Sequence, residues 1–77
     1  MIATDDEIAV ALMALAEARG RDKSFCPSEA ARMLATDWRP LMAEVRRVAA
    51  TLPLIATQKG APVDPQTANG PIRLRLG

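Results

Sequence analysis

The segment Pro71-Ile72-Arg73-Leu74-Arg75-Leu76 alternates apolar and polar positions, with Ile72, Leu74 and Leu76 on one side and Arg73 and Arg75 on the other. A period of two describes a strand with one face on a core and the other in water. A partner strand is available at Leu54–Gln58, set off from the preceding sequence by Pro53. Between them, Lys59-Gly60, Asp64-Pro65 and Asn69-Gly70-Pro71 carry turn chemistry. The C-terminal third therefore reads as two strands, about 54–58 and 71–76, joined by a long, proline-stiffened wing at 59–70. A hairpin cannot bury its own apolar face, so the upstream residues must cover it.

Those residues have helical periodicity. Helix one is expected over about 5–18. Thr4 and Glu7 are spaced as a capping box, and Asp5, Asp6 and Glu7 suit the positive end of the helix dipole. Ile8, Leu12 and Leu15, flanked by Ala11 and Ala18, form its core stripe, and Gly20 ends it. Ser24-Phe25-Cys26 reads as a brief extended segment. Pro27 opens a short helix two, about 27–34, at the position where a missing N–H costs nothing. Helix three is expected over about 38–51, capped by Thr36-Asp37, with Pro40 in its first turn. Leu41, Val45, Val48 and Leu52 recur at i, i+4, i+7 and i+11, widened by Met42 and Ala49. Its other face holds Arg39, Ala43, Arg46, Arg47 and Ala50, with Glu44 as the one acid. The fold expected is a single α+β domain, mainly α: a winged helix-turn-helix of three helices followed by a C-terminal β-hairpin wing.

Charge is distributed unevenly. The net charge is only +1, yet residues 1–30 hold three more acids than bases and residues 31–77 four more bases than acids. A dipolar domain of this kind can turn one basic face to a polyanion, and equally can be ordinary solvated surface.

The chemical inventory is sparse. There is no histidine and no tyrosine, and Cys26 is the single cysteine. A lone thiol without histidine supports neither a Cys–His nucleophile nor a usual zinc site, so an enzyme is not expected, nor a metal or cofactor. Cys26 reads as a small packing residue under helix two, although a helix start also favours a reactive thiolate. Trp38 reads as cover for the core edge, with stacking on a base as the other possibility. No stretch reaches the ~18 apolar residues of a membrane span, and the acidic start differs from a signal peptide, so a cytoplasmic location is expected.

Four stretches carry a resemblance that spans nearly the whole chain. They are Cys26-Pro27-Ser28-Glu29-Ala30-Ala31, Asp37-Trp38-Arg39-Pro40-Leu41-Met42, Lys59-Gly60-Ala61-Pro62-Val63-Asp64-Pro65 and Gly70-Pro71-Ile72-Arg73-Leu74-Arg75. Together they resemble a small bacterial domain family of unknown function whose members are regarded as winged helices. The resemblance implies a fold and no activity. This chain departs from it at Ala50-Thr51-Leu52-Pro53-Leu54-Ile55, a compressed link that is expected to tilt helix three or shorten its end.

Two functions follow as expectations. In the first, the domain binds double-stranded DNA: Arg39, Arg46 and Arg47 meet the major groove or its flanking phosphates, while Lys59, Arg73 and Arg75 contact the backbone. In the second, the same scaffold is a protein-interaction module, with a partner or a second copy adding at the hairpin edge.

Overall fold

The computed structural model describes residues 3–77 and arranges them as three helices followed by a three-stranded antiparallel sheet. This mainly helical α+β order is compatible with a winged-helix-like arrangement. Helix α1 spans Asp5–Arg19 and starts with the expected capping box. Thr4 Oγ1 accepts from the Glu7 amide at 3.2 Å, and the Glu7 carboxylate accepts from the Thr4 amide at 2.9 Å. Gly20, at φ 77°, closes the helix by donating to the Ala16 carbonyl. The buried stripe of α1 is Ile8, Ala11, Leu12 and Ala16. Leu15 is half-buried and Ala18 is exposed, so the stripe continues through Ala16 rather than Ala18. The i, i+4, i+8 row from Ile8 is the one that faces the core.

Helix α2, Pro27–Leu34, buries Pro27, Ala30 and Ala31. Its start is satisfied by Glu29, whose carboxylate accepts the Cys26 amide at 3.0 Å. Cys26 itself is half-buried and accepts a hydrogen bond from the Ser28 hydroxyl.

The third helix differs from its expected bounds. A 3-10 turn at Arg39–Leu41 leads into α3, Met42–Ala49. Pro40 lies inside that turn and has no N–H to give to a regular α-helical start. The expected Thr36-Asp37 cap does not form: Trp38 precedes the turn, and no side chain caps it. The far end stops at Ala49, two residues before the expected Thr51. Pro53 follows closely, and the Thr51 amide and hydroxyl both close on the Val48 carbonyl, at 2.9 and 2.7 Å.

Strand β1, Leu54–Gln58, is the centre of the sheet, between β2 (Ala61–Pro62) and β3 (Arg73–Leu76). The chain turns from β1 to β2 through Lys59 and Gly60, at φ 52° and 83°. Two successive positive φ values make this a type I′ turn, whose twist matches that of the strands. The expected wing therefore starts with a tight hairpin, and only the return from Val63 to Ile72 is a loop. β3 pairs with β1 from Leu54↔Leu76 to Thr57↔Arg73 and begins two residues later than expected. Beyond β3, Phe25 forms an isolated bridge to Leu74, with two 2.8 Å hydrogen bonds. The extended Ser24-Phe25-Cys26 segment thus joins the sheet through one residue.

Ile8, Leu12, Phe25, Ala30, Ala31, Val45, Ile72 and Leu74 are fully enclosed, so every helix and the last strand meet in one core. Phe25 supplies its one aromatic ring, and no polar or charged side chain is buried among the described residues. No helix among them is long and apolar enough to cross a membrane.

Candidate nucleic-acid interface

The six cations expected to meet DNA fall into different environments. Arg47 projects from α3 towards the start of α1. Its guanidinium donates to Asp5 at 2.7 and 3.1 Å and to Glu44 at 2.5 and 3.2 Å. Hydrogen bonding from Arg47 lowers the Asp5 pKa, and the two carboxylates, Asp5 foremost, raise that of Arg47. Two acids around one guanidinium leave a net negative charge on this flank. Arg47 is therefore withdrawn from the expected phosphate set. The i, i+3 spacing of Glu44 was visible in the sequence, whereas Asp5 is 42 positions away.

Arg46 lies on the other flank of α3 and reaches the wing. It donates to the Ala68 carbonyl at 2.8 Å and to the Gly70 carbonyl at 2.6 Å. Carbonyl oxygens carry no formal charge, so Arg46 keeps its positive charge while it pins the loop. Gln58 holds the same segment by donating to the Asn69 and Pro71 carbonyls. Asp64 accepts the Gln66 amide at 2.8 Å, an Asx turn at the loop's start. The loop is thus fastened to both α3 and β1, and Lys59 directly follows the fastening residue Gln58. Lys59 is exposed.

Arg73 and Arg75 stand elsewhere. Ala56 and Leu74 are buried against the helices, so alternation puts Arg73, Arg75 and their cross-strand partners Thr57 and Ile55 on the sheet face turned away from them. Arg73 donates to the Ser24 hydroxyl and carbonyl at 3.0 and 2.9 Å, tying the loop after α1 to the sheet. The structure does not unite these two arginines with Arg39 and Arg46 on a single face.

Arg39 is exposed at the start of the 3-10 turn, with its guanidinium carbon 4.8 Å from the centre of the Trp38 ring. A second guanidinium shares that ring: Arg32, in the last turn of α2, lies 4.7 Å from the same centre. The cations are held no farther apart than the sum of those distances. Neither has an acidic partner among the described residues. The aromatic quadrupole orients both without neutralising either. Trp38 is half-buried against the core, in keeping with its expected covering role, and its ring is already occupied by arginine. Arg32 was missed in the sequence because it sits on α2, and nothing local ties it to the turn that holds Trp38.

Arg32, Arg39, Arg46 and Lys59, none with an acidic partner among the described residues, thus define a candidate strip. It runs over the Arg32–Trp38–Arg39 stack, along exposed Ala43 and Ala50 on α3, and past Arg46 to the wing. The segments that build it all lie within one matched region. The chain belongs to the family described as "Protein of unknown function (DUF3253)". That family's sequence profile matches residues 5–77, from the first residue of α1 to the end of the described chain. A search of curated proteins finds no match. The family description names no activity, so the functional reading rests on the strip's own chemistry.

Proposed function

We propose that this domain is a bacterial winged-helix module that binds double-stranded DNA along α3 and the adjoining wing, as a small transcriptional regulator without enzymatic activity. Arg32, Arg39, Arg46 and Lys59 meet phosphates, and the small side chains of Ala43 and Ala50 let the α3 backbone approach a groove. The observation that carries this reading is the Arg32–Trp38–Arg39 stack, two uncompensated guanidiniums held in place on one ring. An orienting ring lowers the entropy lost when those arginines engage an anion.

Lys59 adds support. Its φ of 52° is a left-handed conformation that Asn adopts at lower cost than Lys. A cation at a site where the turn favours Asn fits a phosphate contact. Hairpin-edge docking has less to work with. β2 is two residues long and includes Pro62, while the outer edge of β3 already meets Phe25.

The test is fluorescence anisotropy of a labelled random-sequence duplex with the purified protein at several salt concentrations. Four phosphate contacts predict that log affinity falls with log salt at a slope of about −3 to −4. Replacing Arg32 and Arg39 together with Glu abolishes binding, whereas replacing Arg73 and Arg75 with Glu leaves most of it. Absence of binding at low salt, or equal loss in the two double variants, overturns the proposal.

A further inference from the structure

The side of the domain formed by α1 and α2 carries a different surface. Val10 and Met33 are the exposed large hydrophobic residues of the described chain, at 70% and 59%. Both line one open groove of about 420 Å³ between α1 and α2, with Ala14 and Leu34 beside them. Exposing one valine or one methionine is ordinary, but two in a single groove over small residues form a patch. Met is also a side chain that adapts to the shape of a partner.

The charges that line this groove have one sign. Asp6 and Glu7 line it at the start of α1. Glu17 follows Asp6, Val10 and Ala14 on the same helical face, and Asp37 is exposed in the loop after Met33 and Leu34. Among the described residues, no base lines the groove. Arg32, next to Met33, keeps its charge but is held over the Trp38 ring, and Arg19 at the end of α1 pairs with Glu29 at 2.5 Å.

We infer that this groove is the docking site for a lysine- or arginine-rich amphipathic helix of another protein. The apolar stripe of such a helix covers Val10 and Met33, and its basic flanks meet Asp6, Glu7 and Glu17. Ala14 allows its backbone to come close. A second copy of this chain docked symmetrically would set Asp6 and Glu7 against their own counterparts, which like-charge repulsion opposes. The groove also lacks the converging polar groups that orient a small molecule. The groove adjoins the α3 strip where Met33 follows Arg32, so the two sites share an edge along α2.

The probe is a synthetic helical peptide of about five turns, with Leu at i, i+3, i+4 and i+7 and Lys elsewhere. Its control carries Glu in place of every Lys. Each is titrated into the full chain and followed by backbone-amide NMR. The Lys peptide is expected to bind saturably, with shifts centred on Val10, Ala14 and Met33, while the Glu peptide does not bind. The double variant Val10→Asp, Met33→Asp alters only exposed positions. Its fold is checked by circular dichroism, and it weakens the Lys peptide by at least about tenfold, a loss of ~1.4 kcal/mol. Val10→Ala, Met33→Ala gives a milder loss in the same direction, should the charged variant not fold. Equal binding of both peptides, or shifts confined to other residues, overturns the inference. So does a concentration-dependent dimer in sedimentation equilibrium that disappears with Val10→Ala, Met33→Ala, since a second copy would then be the occupant.

Discussion

Helices α1 and α3 press apolar stripes into the same core, yet they are stabilised by different means. α1 has 15 residues, a complete capping box, three acids in its first turn and a glycine stop. Each of these devices lies within a few residues of the place it acts. α3 has eight residues, enters through a 3-10 turn and has no side-chain cap. Its anchors come from elsewhere: Asp5 from the start of α1, and the Ala68 and Gly70 carbonyls from the wing. An α-helix this short has little stability of its own in water, so tertiary contacts must supply it. The basic face of α3 is accordingly structural on both flanks, and the arginines nearest its outer face have different duties. Arg47 is charge-compensated, and Arg46 remains a cation.

The sharpest way to break this contrast is at the entrance to α3. Leu41 is buried in the 3-10 turn, and Leu41→Ala is expected to cost about 2–3 kcal/mol in denaturant unfolding. Hydrogen exchange should quicken first in α3 and last in α1. A uniform acceleration would show that the helices do not differ. Next in size, Arg46→Ala removes two charged-donor hydrogen bonds and should cost about 1–2 kcal/mol. Its signature is faster amide exchange between residues 64 and 70. Arg46→Lys restores little of this, because a single ammonium does not reproduce the fork spanning two carbonyls.

Thr4→Ala probes the local side of the comparison. It should cost about 1 kcal/mol in thermal unfolding, with fraying confined to the first turn of α1. Smaller still, Lys59→Asn suits the I′ turn and should raise stability by up to about 1 kcal/mol while weakening duplex binding. A stability gain with unchanged affinity would remove Lys59 from the interface.

The mildest effect is that of acid. Hydrogen bonds from Arg47, from the Thr4 amide, and from Arg19 hold the pKa of Asp5, Glu7 and Glu29 respectively below their ordinary values of 3.8, 4.5 and 4.5. In the unfolded chain these groups take up protons first as pH falls. Their contribution is therefore complete above about pH 4.5 and is lost as pH drops through the folded values. Chemical denaturation across that range should show a plateau above it and a decline below, reduced in Arg47→Ala.

Much of the fold was legible in the chain. The Thr4/Glu7 box, Gly20, Pro27, the Leu41–Val48 stripe and the Arg73–Leu76 alternation each led to the right element. Local signals succeed where neighbouring residues decide the backbone. The expected Thr36-Asp37 cap and the regular start of helix three failed because Pro40 imposes a tighter turn. The expected long wing became a tight hairpin plus a return loop, because Lys59 takes a left-handed conformation that its side chain does not announce.

The candidate site was less legible. Arg39, Arg46 and Lys59 belong to the proposed strip, whereas Arg47 is engaged by Asp5 and Glu44, and Arg73 and Arg75 lie on the sheet face turned away from the helices. Arg32 was overlooked, as was the Val10–Met33 groove, whose halves lie on separate helices.

By itself, then, the sequence determined the number and order of helices, the alternation of the last strand, the start and stop of α1, and the uneven placement of charge. These follow from periodicity, capping and φ preferences that act over a few bonds. Only the tertiary structure decided which arginines remain uncompensated, what Trp38 touches, how the wing is fastened and where apolar side chains stay in water. Those outcomes depend on residues brought together from as far apart as Asp5 and Arg47, and a charge's availability is set by its neighbours in space.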